Sequence, residues 1–185
     1  MREVQAVFHR TKQVSIYPIE GDRFLIAATL QDEVHDVHVE IEIVHPTLEI
    51  VAARSEVRNG PFTAVCNLTQ PNMAGLVGMR VARGFTQAAR AAVGGVGGCH
   101  RVSELLVEVG QAAYQLHFVR FFGSLPAEIR NAPDDPRRRR EAVLAAVPGM
   151  RNTCFSYADE NASLIAERAT PLRLRDQTMP TRSIP

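Results

Sequence analysis

A cysteine and a histidine stand side by side where the sequence predicts the start of a long helix. Cys99 and His100 follow the segment 94–98, in which four glycines leave the backbone almost free of steric restriction. Behind the pair, apolar residues recur at the spacing of an amphipathic helix. A thiol at a helix N-terminus feels the positive end of the dipole, which favours the thiolate that binds metals and attacks electrophiles. The pattern therefore predicts a functional site at Cys99.

Further side chains of the kind that bind metals lie at His35, Asp36 and Cys66. Strand ends and helix N-termini gather at one end of an α+β sandwich, so we expect His35, Cys66 and Cys99 to converge. Two thiolates and an imidazole suit zinc, with iron or an iron–sulfur cluster as the alternative. We therefore predict one metal ion held by these three residues. Asp36 or His100 would be a fourth ligand, or a catalytic base acting on a metal-bound water.

A purely structural role is the alternative for each of these side chains. A single buried cysteine usually behaves as a small apolar residue, and we expect this of Cys154. A lone histidine before a strand, such as His35, more often makes a structural hydrogen bond or lies at the surface. The metal site depends on the convergence of several such residues and not on any one of them.

The elements that must position these residues change in periodicity along the chain. In residues 37–43, Val and Ile alternate with His and Glu, which predicts a strand with one buried and one solvated face. Similar runs on either side predict an antiparallel meander, and helical spacing begins after Phe62. The predicted fold is therefore α+β, a small antiparallel sheet packed on one face by helices. The predicted strands cover residues 14–17, 24–30, 37–43 and 48–57, and the first helices cover residues 85–92 and 100–119.

Domain organisation follows from the same patterns. We predict one α+β domain over residues 1–168, with a core at 13–119 and a helical extension at 120–168, followed by a tail at 169–185 that contains three prolines. Asp135 before a proline is typical of a helix start. The four arginines at 137–140 predict a solvated helix face, with an anionic partner as the alternative.

Composition limits the possible functions. The 185 residues are 45% hydrophobic and 22% charged, with a net charge of +1, which is ordinary for a globular domain and predicts neither a nucleic-acid nor a membrane partner. No apolar run reaches the roughly 18 residues of a membrane span, and we expect no signal peptide and a cytoplasmic location. The three cysteines are then expected to be free thiols or metal ligands. The glycine segment matches no phosphate-binding motif, so nucleotide binding is not predicted.

The order of several short motifs resembles an uncharacterised bacterial domain-of-unknown-function family. These motifs are His35-Asp36 at a strand opening, Cys66, Leu76-Val77-Gly78, the glycine segment with Cys99, Glu104-Leu105-Leu106 and Asn152-Thr153-Cys154. The likeness spans roughly residues 8–157. It implies no particular activity.

Residues 34–115 also resemble, more distantly, the iron–sulfur scaffold proteins of the NifU/IscU type. His35 stands near the first cysteine of the scaffold motif, Asp36 stands on its aspartate, and Cys66 lies a few residues from its second cysteine. Cys99-His100 matches the third motif with the two residues in reverse order. The resemblance implies a NifU/IscU-like fold and a metal site at this corner of the sheet, with two thiolates and an imidazole where the scaffolds use three thiolates.

Three functional hypotheses follow. The first is a metal-binding protein, which would be a small metal-dependent enzyme if one coordination position is open. The second is a sulfur or acyl carrier in which Cys99 is the nucleophile. The third is an accessory subunit whose C-terminal third docks on a larger enzyme or forms a homo-oligomer. The sequence names no small-molecule substrate.

Overall fold

The computed structural model describes residues 4–124, 135–168 and 182–183. Contacts divide these residues into two compact units. The first contains residues 4–117 with 182–183, and the second contains residues 118–124 with 135–168. No helix among the described residues has the length and apolar character needed to cross a membrane.

The first unit begins with a four-stranded antiparallel sheet in which every strand pairs with its neighbour in sequence. This order needs only short connections, as the meander predicted from the sequence requires. The register places Ile26 opposite Ile41 and Ile41 opposite Ala53, so the apolar side chains of three strands share one face. The strands are β1 (Arg10–Pro18), β2 (Arg23–Asp32), β3 (Asp36–Val44) and β4 (Glu49–Asn59).

Helices cover that apolar face. Strand β3 shows the reason most clearly, because its odd-numbered residues from Val37 to Ile43 are fully buried and the even-numbered residues between them are half-buried. The buried face packs on Met73, Phe85 and Leu105, which come from three different helical segments. These segments are a 3₁₀ helix (Asn67–Leu76), α2 (Phe85–Val93) and α3 (His100–Ser124), and a short helix α1 (Thr63–Cys66) precedes them. The prediction of an α+β fold with a small antiparallel sheet is confirmed.

The glycine segment joins α2 to α3 through a single 3₁₀ turn, Gly95–Gly97. The N–H of Cys99 donates to the carbonyl oxygen of Val93 at 2.9 Å, and the carbonyl of Cys99 accepts from Ser103 N–H at 3.0 Å. Cys99 therefore stands immediately before the first residue of α3, where the sequence predicted it.

The second unit contains α4 (Pro136–Ala146) and α5 (Ala162–Arg168) with three 3₁₀ turns between them. Asp135 caps α4, since its carboxylate accepts from the N–H groups of Arg137 and Arg138. Arg140 donates to the carbonyl oxygens of Ser156, Tyr157 and Ala158, so one of the four consecutive arginines fixes the loop that leads to α5.

Parts of the sequence prediction lie outside the described residues. They are residues 125–134 of the predicted helical extension and most of the tail at 169–185. The organisation into one domain with an extension stays a prediction.

Candidate functional site

One end of the sheet carries His35, one of the residues that the sequence analysis selected. The turn between β2 and β3 carries His35, and the side-chain amide of Asn59 at the end of β4 donates to the carbonyl oxygen of Val34 at 2.8 Å. Strand β1 begins beside this turn, since Arg10 pairs with Asp32. This corner is the end of the sheet where the sequence predicted chemistry.

A buried carboxylate organises the corner. Asp32 has a side chain only 1% exposed, and its Oδ1 accepts from the backbone N–H groups of Val34 at 2.9 Å and His35 at 2.8 Å. Its Oδ2 accepts from Nε and Nη2 of Arg10, at 3.0 and 2.7 Å. Burial alone would raise the pKa of Asp32, but these hydrogen bonds and that of the His35 ring outweigh it and hold the pKa well below its usual range. Asp32 is therefore an ionised carboxylate throughout the physiological pH range.

The ionised state of Asp32 determines which nitrogen of His35 carries a proton. Nδ1 of His35 lies 3.0 Å from Oδ1 of Asp32. An ionised carboxylate can only accept hydrogen bonds, so Nδ1 must be the donor and carries the hydrogen. In the neutral ring the lone pair is then on Nε2. Among the described residues no partner of Nε2 is found, and the side chain is 23% exposed.

Charged side chains of β1 and α3 continue the network from Asp32. Arg10, which binds Asp32, also lies 3.8 Å from Glu104. Glu104 lies 2.7 Å from Nζ of Lys12 and 3.0 Å from Nη1 of Arg101. These contacts connect the first turns of α3 to the edge strand and hold the guanidinium of Arg10 against the buried carboxylate.

The other predicted site residues take separate positions. Asp36 faces His38 on the side of the sheet opposite the core, with Oδ1 2.7 Å from Nε2 of His38. Cys66 ends α1 and Cys99 precedes α3, and both half-buried side chains pack against the hydrophobic core. His100 is the exposed first residue of α3.

The described ranges contain no group of three or more His, Cys, Asp or Glu side chains placed to hold a metal ion. The contact that the structure shows for the His35 ring is with the carboxylate of Asp32. Metal binding by His35, Cys66 and Cys99, with zinc or iron as the metal, stays a prediction.

Sequence reasoning missed Asp32, the residue at the centre of the corner. A local signal was present, because aspartate side chains that accept N–H groups two and three residues further on are common in turns. His35 stands three residues after Asp32, so the same turn that satisfies the carboxylate also brings the imidazole to it. The contribution of Arg10, 22 residues away, had no local signal.

Fold and site together define a small α+β domain in which a buried carboxylate contacts a half-buried histidine at one end of an antiparallel sheet. A family model matches residues 3–115, which is more than half of the chain, and the chain belongs to this family of proteins of unknown function (DUF2889). Neither the curated proteins nor the solved structures include a significant match. The likeness to NifU/IscU-type scaffolds therefore stays a prediction.

Proposed function

We propose that this domain is a small acid–base catalyst in which His35 transfers the proton and Asp32 positions His35. The observation that carries the proposal is the contact of 3.0 Å between Nδ1 of His35 and Oδ1 of the buried, ionised Asp32. It leaves Nε2 as the basic atom of a neutral imidazole whose orientation is fixed by its other nitrogen, which is how carboxylates position histidine bases in hydrolytic enzymes.

The surroundings of the pair support this role. Two backbone N–H groups and the guanidinium of Arg10 hold Asp32, so the carboxylate cannot rotate away from the ring. The Cδ2 edge of the His35 ring lies 3.8 Å from the position that a Cβ would take on Gly60, so the absence of a side chain there leaves room beside the ring. The His35 side chain is 23% exposed, so a small molecule can reach part of it.

A second pair in the same protein provides a matched control. His38 also contacts a carboxylate, that of Asp36, but this carboxylate is 30% exposed. Water can compete for an exposed carboxylate, so it fixes its histidine less firmly. If proton transfer requires a histidine held by a buried carboxylate, His35 should contribute to catalysis and His38 should not.

Hydrolysis of 4-nitrophenyl acetate, a generic ester, tests the proposal in the full chain. We expect His35→Gln to lower the second-order rate constant at least about tenfold, because general acid–base groups typically contribute more than that. Glutamine keeps a donor for Asp32, so the fold is preserved, as circular dichroism would verify. His38→Gln and Cys99→Ser should leave the rate unchanged. Equal rates for the His35 and His38 variants would contradict the proposal.

Metal binding, the carrier role of Cys99 and the accessory-subunit role stay predictions. A carboxylate that orients a histidine is also the usual partner of a metal-bound histidine, so the Asp32–His35 contact is compatible with zinc at His35. We place proton transfer first because it needs only the contacts described above.

A further inference from the structure

Two histidines far apart in sequence form a direct contact in the first unit. Nδ1 of His117 lies 3.2 Å from Nε2 of His45, and the ring centroids are 5.0 Å apart with the planes tilted by 57°. Both residues are half-buried, so part of each is exposed to solvent. The pair lies apart from the proposed proton-transfer site in sequence and uses none of its residues.

Each ring is held by its own element. His45 follows β3 in the turn to β4, where its backbone N–H donates to the carbonyl oxygen of Asp22 at 2.8 Å. Its ring packs edge-on against Phe24 with centroids 6.3 Å apart. His117 lies on α3, and the ring of Tyr114 packs against it at 6.1 Å with an interplanar angle of 83°. The turn after β3 therefore positions the ring of His45, and α3 positions the ring of His117, so that the two imidazoles face each other.

The separation of the facing nitrogens suits a shared metal ion. A tetrahedral zinc ion bound at 2.0–2.1 Å by two imidazoles requires the two nitrogens to be about 3.3 Å apart. The observed 3.2 Å is close to that spacing, so both nitrogens can bind one ion once the rings turn to direct their lone pairs at it. The hydrogen now shared by the pair would move to the outer nitrogen of its own ring, which needs no change in net protonation.

We propose that His45 and His117 form a two-histidine binding site for a divalent transition metal such as zinc, nickel or copper. Imidazole is a preferred ligand of all three ions. In the part of the chain that the structure describes, no third His, Cys, Asp or Glu joins the pair in a metal-binding group. The proposal therefore names only these two ligands. This inference does not rest on the proposed function of His35.

Zinc titration of the full-length, ¹⁵N-labelled protein tests the site, with the histidine ring signals observed by NMR. We expect the signals of His45 and His117 to shift together and to saturate at one zinc per chain. Since the wild-type spectrum locates the metal directly, this result does not depend on whether a variant folds.

Variants then measure the contribution of each ligand. His117→Gln and His45→Gln should each weaken zinc binding at least about tenfold, because losing a ligand costs more than losing an outer-shell partner, which costs about 10–100-fold. His38→Gln is the matched control and should bind zinc as the wild type does, because His38 contacts Asp36 and belongs to neither proposed site. Zinc shifts confined to His35, or unchanged affinity in the His117 variant, would overturn the inference.

Discussion

Gly98 lies where the chain passes so close to the end of α2 that no side chain fits. A Cβ at this position would lie 2.0 Å from the carbonyl oxygen of Val93. The same oxygen accepts the N–H of Cys99, so the close approach is what places Cys99 at the start of α3. At this residue the need for glycine is steric and does not come from an unusual φ, which is −136°.

Alanine substitutions at two neighbouring glycines measure how much a single methyl group in the α2–α3 connection changes the stability of the fold. We expect Gly98→Ala to lower the free energy of unfolding by about 2 kcal/mol or more, because the backbone must shift to relieve the overlap. Gly97→Ala should change it by less than about 0.5 kcal/mol, since a Cβ at Gly97 has no neighbour within 4 Å. Urea unfolding monitored by circular dichroism compares the two variants. Similar values for both would refute the steric explanation.

What the sequence reveals about single residues depends on how local their interactions are. The glycines around Cys99 are evident from the sequence alone, but the close approach of Gly98 to Val93 depends on how α2 and α3 pack. Arg10 and Asp32 are 22 residues apart in the sequence, and only the pairing of β1 with β2 makes them partners. The His45–His117 contact spans 72 positions and had no signal in the sequence.

At the scale of elements, the predictions that succeeded rest on periodicity and capping. The alternation in β3 fixed both the strand and its buried face, because side chains in a strand alternate with a period of two. For the 3₁₀ helix Asn67–Leu76 the sequence predicted only that helical spacing begins after Phe62, without bounds. Pro71 and a single glycine interrupt the regular helical spacing there, so the tertiary contacts of Met73 and Leu76 determine the element.

The N-terminus of α4 provides a test of capping in the second unit. Oδ1 of Asp135 accepts from the N–H of Arg137 at 3.0 Å and of Arg138 at 3.1 Å. Asp135→Ala should destabilise this helix by about 0.5–2 kcal/mol, which hydrogen exchange of the α4 amides would detect as faster exchange. Asp135→Asn retains a capping oxygen, so the α4 amides of this variant should exchange at nearly the wild-type rate. If the alanine and asparagine variants exchange alike, the cap contributes nothing measurable.

At the scale of the whole first unit, the ion pairs between β1 and α3 make stability depend on pH. Burial raises the pKa of Glu104, but hydrogen bonds from Lys12 and Arg101 and the charge of Arg10 outweigh it, so the pKa lies below its ordinary value of 4.5. The hydrogen bond to Glu104 is the main cause that raises the pKa of Lys12 above 10.5. Glu104 therefore stabilises the fold above pH 4.5 and loses that contribution as the pH falls through its lower folded-state pKa, while the contribution of Lys12 is lost only as the pH rises above 10.5.

The variant Glu104→Gln distinguishes the stability that these ion pairs contribute from the general destabilisation of the protein by acid. At pH 7 we expect the variant to be less stable by about 1 kcal/mol, or about 2–4 °C in melting temperature, because partly exposed ion pairs contribute little individually but Glu104 joins three cations. The difference should shrink as the pH falls below 4.5, where wild-type Glu104 becomes protonated and can no longer attract those cations. Glu49→Gln is the control: among the described residues its carboxylate pairs with the exposed Arg80 alone, at 3.8 Å, so this variant should change stability little at either pH. A difference for Glu104→Gln that stays constant from pH 7 to pH 3 would show that its carboxylate charge does not stabilise the fold.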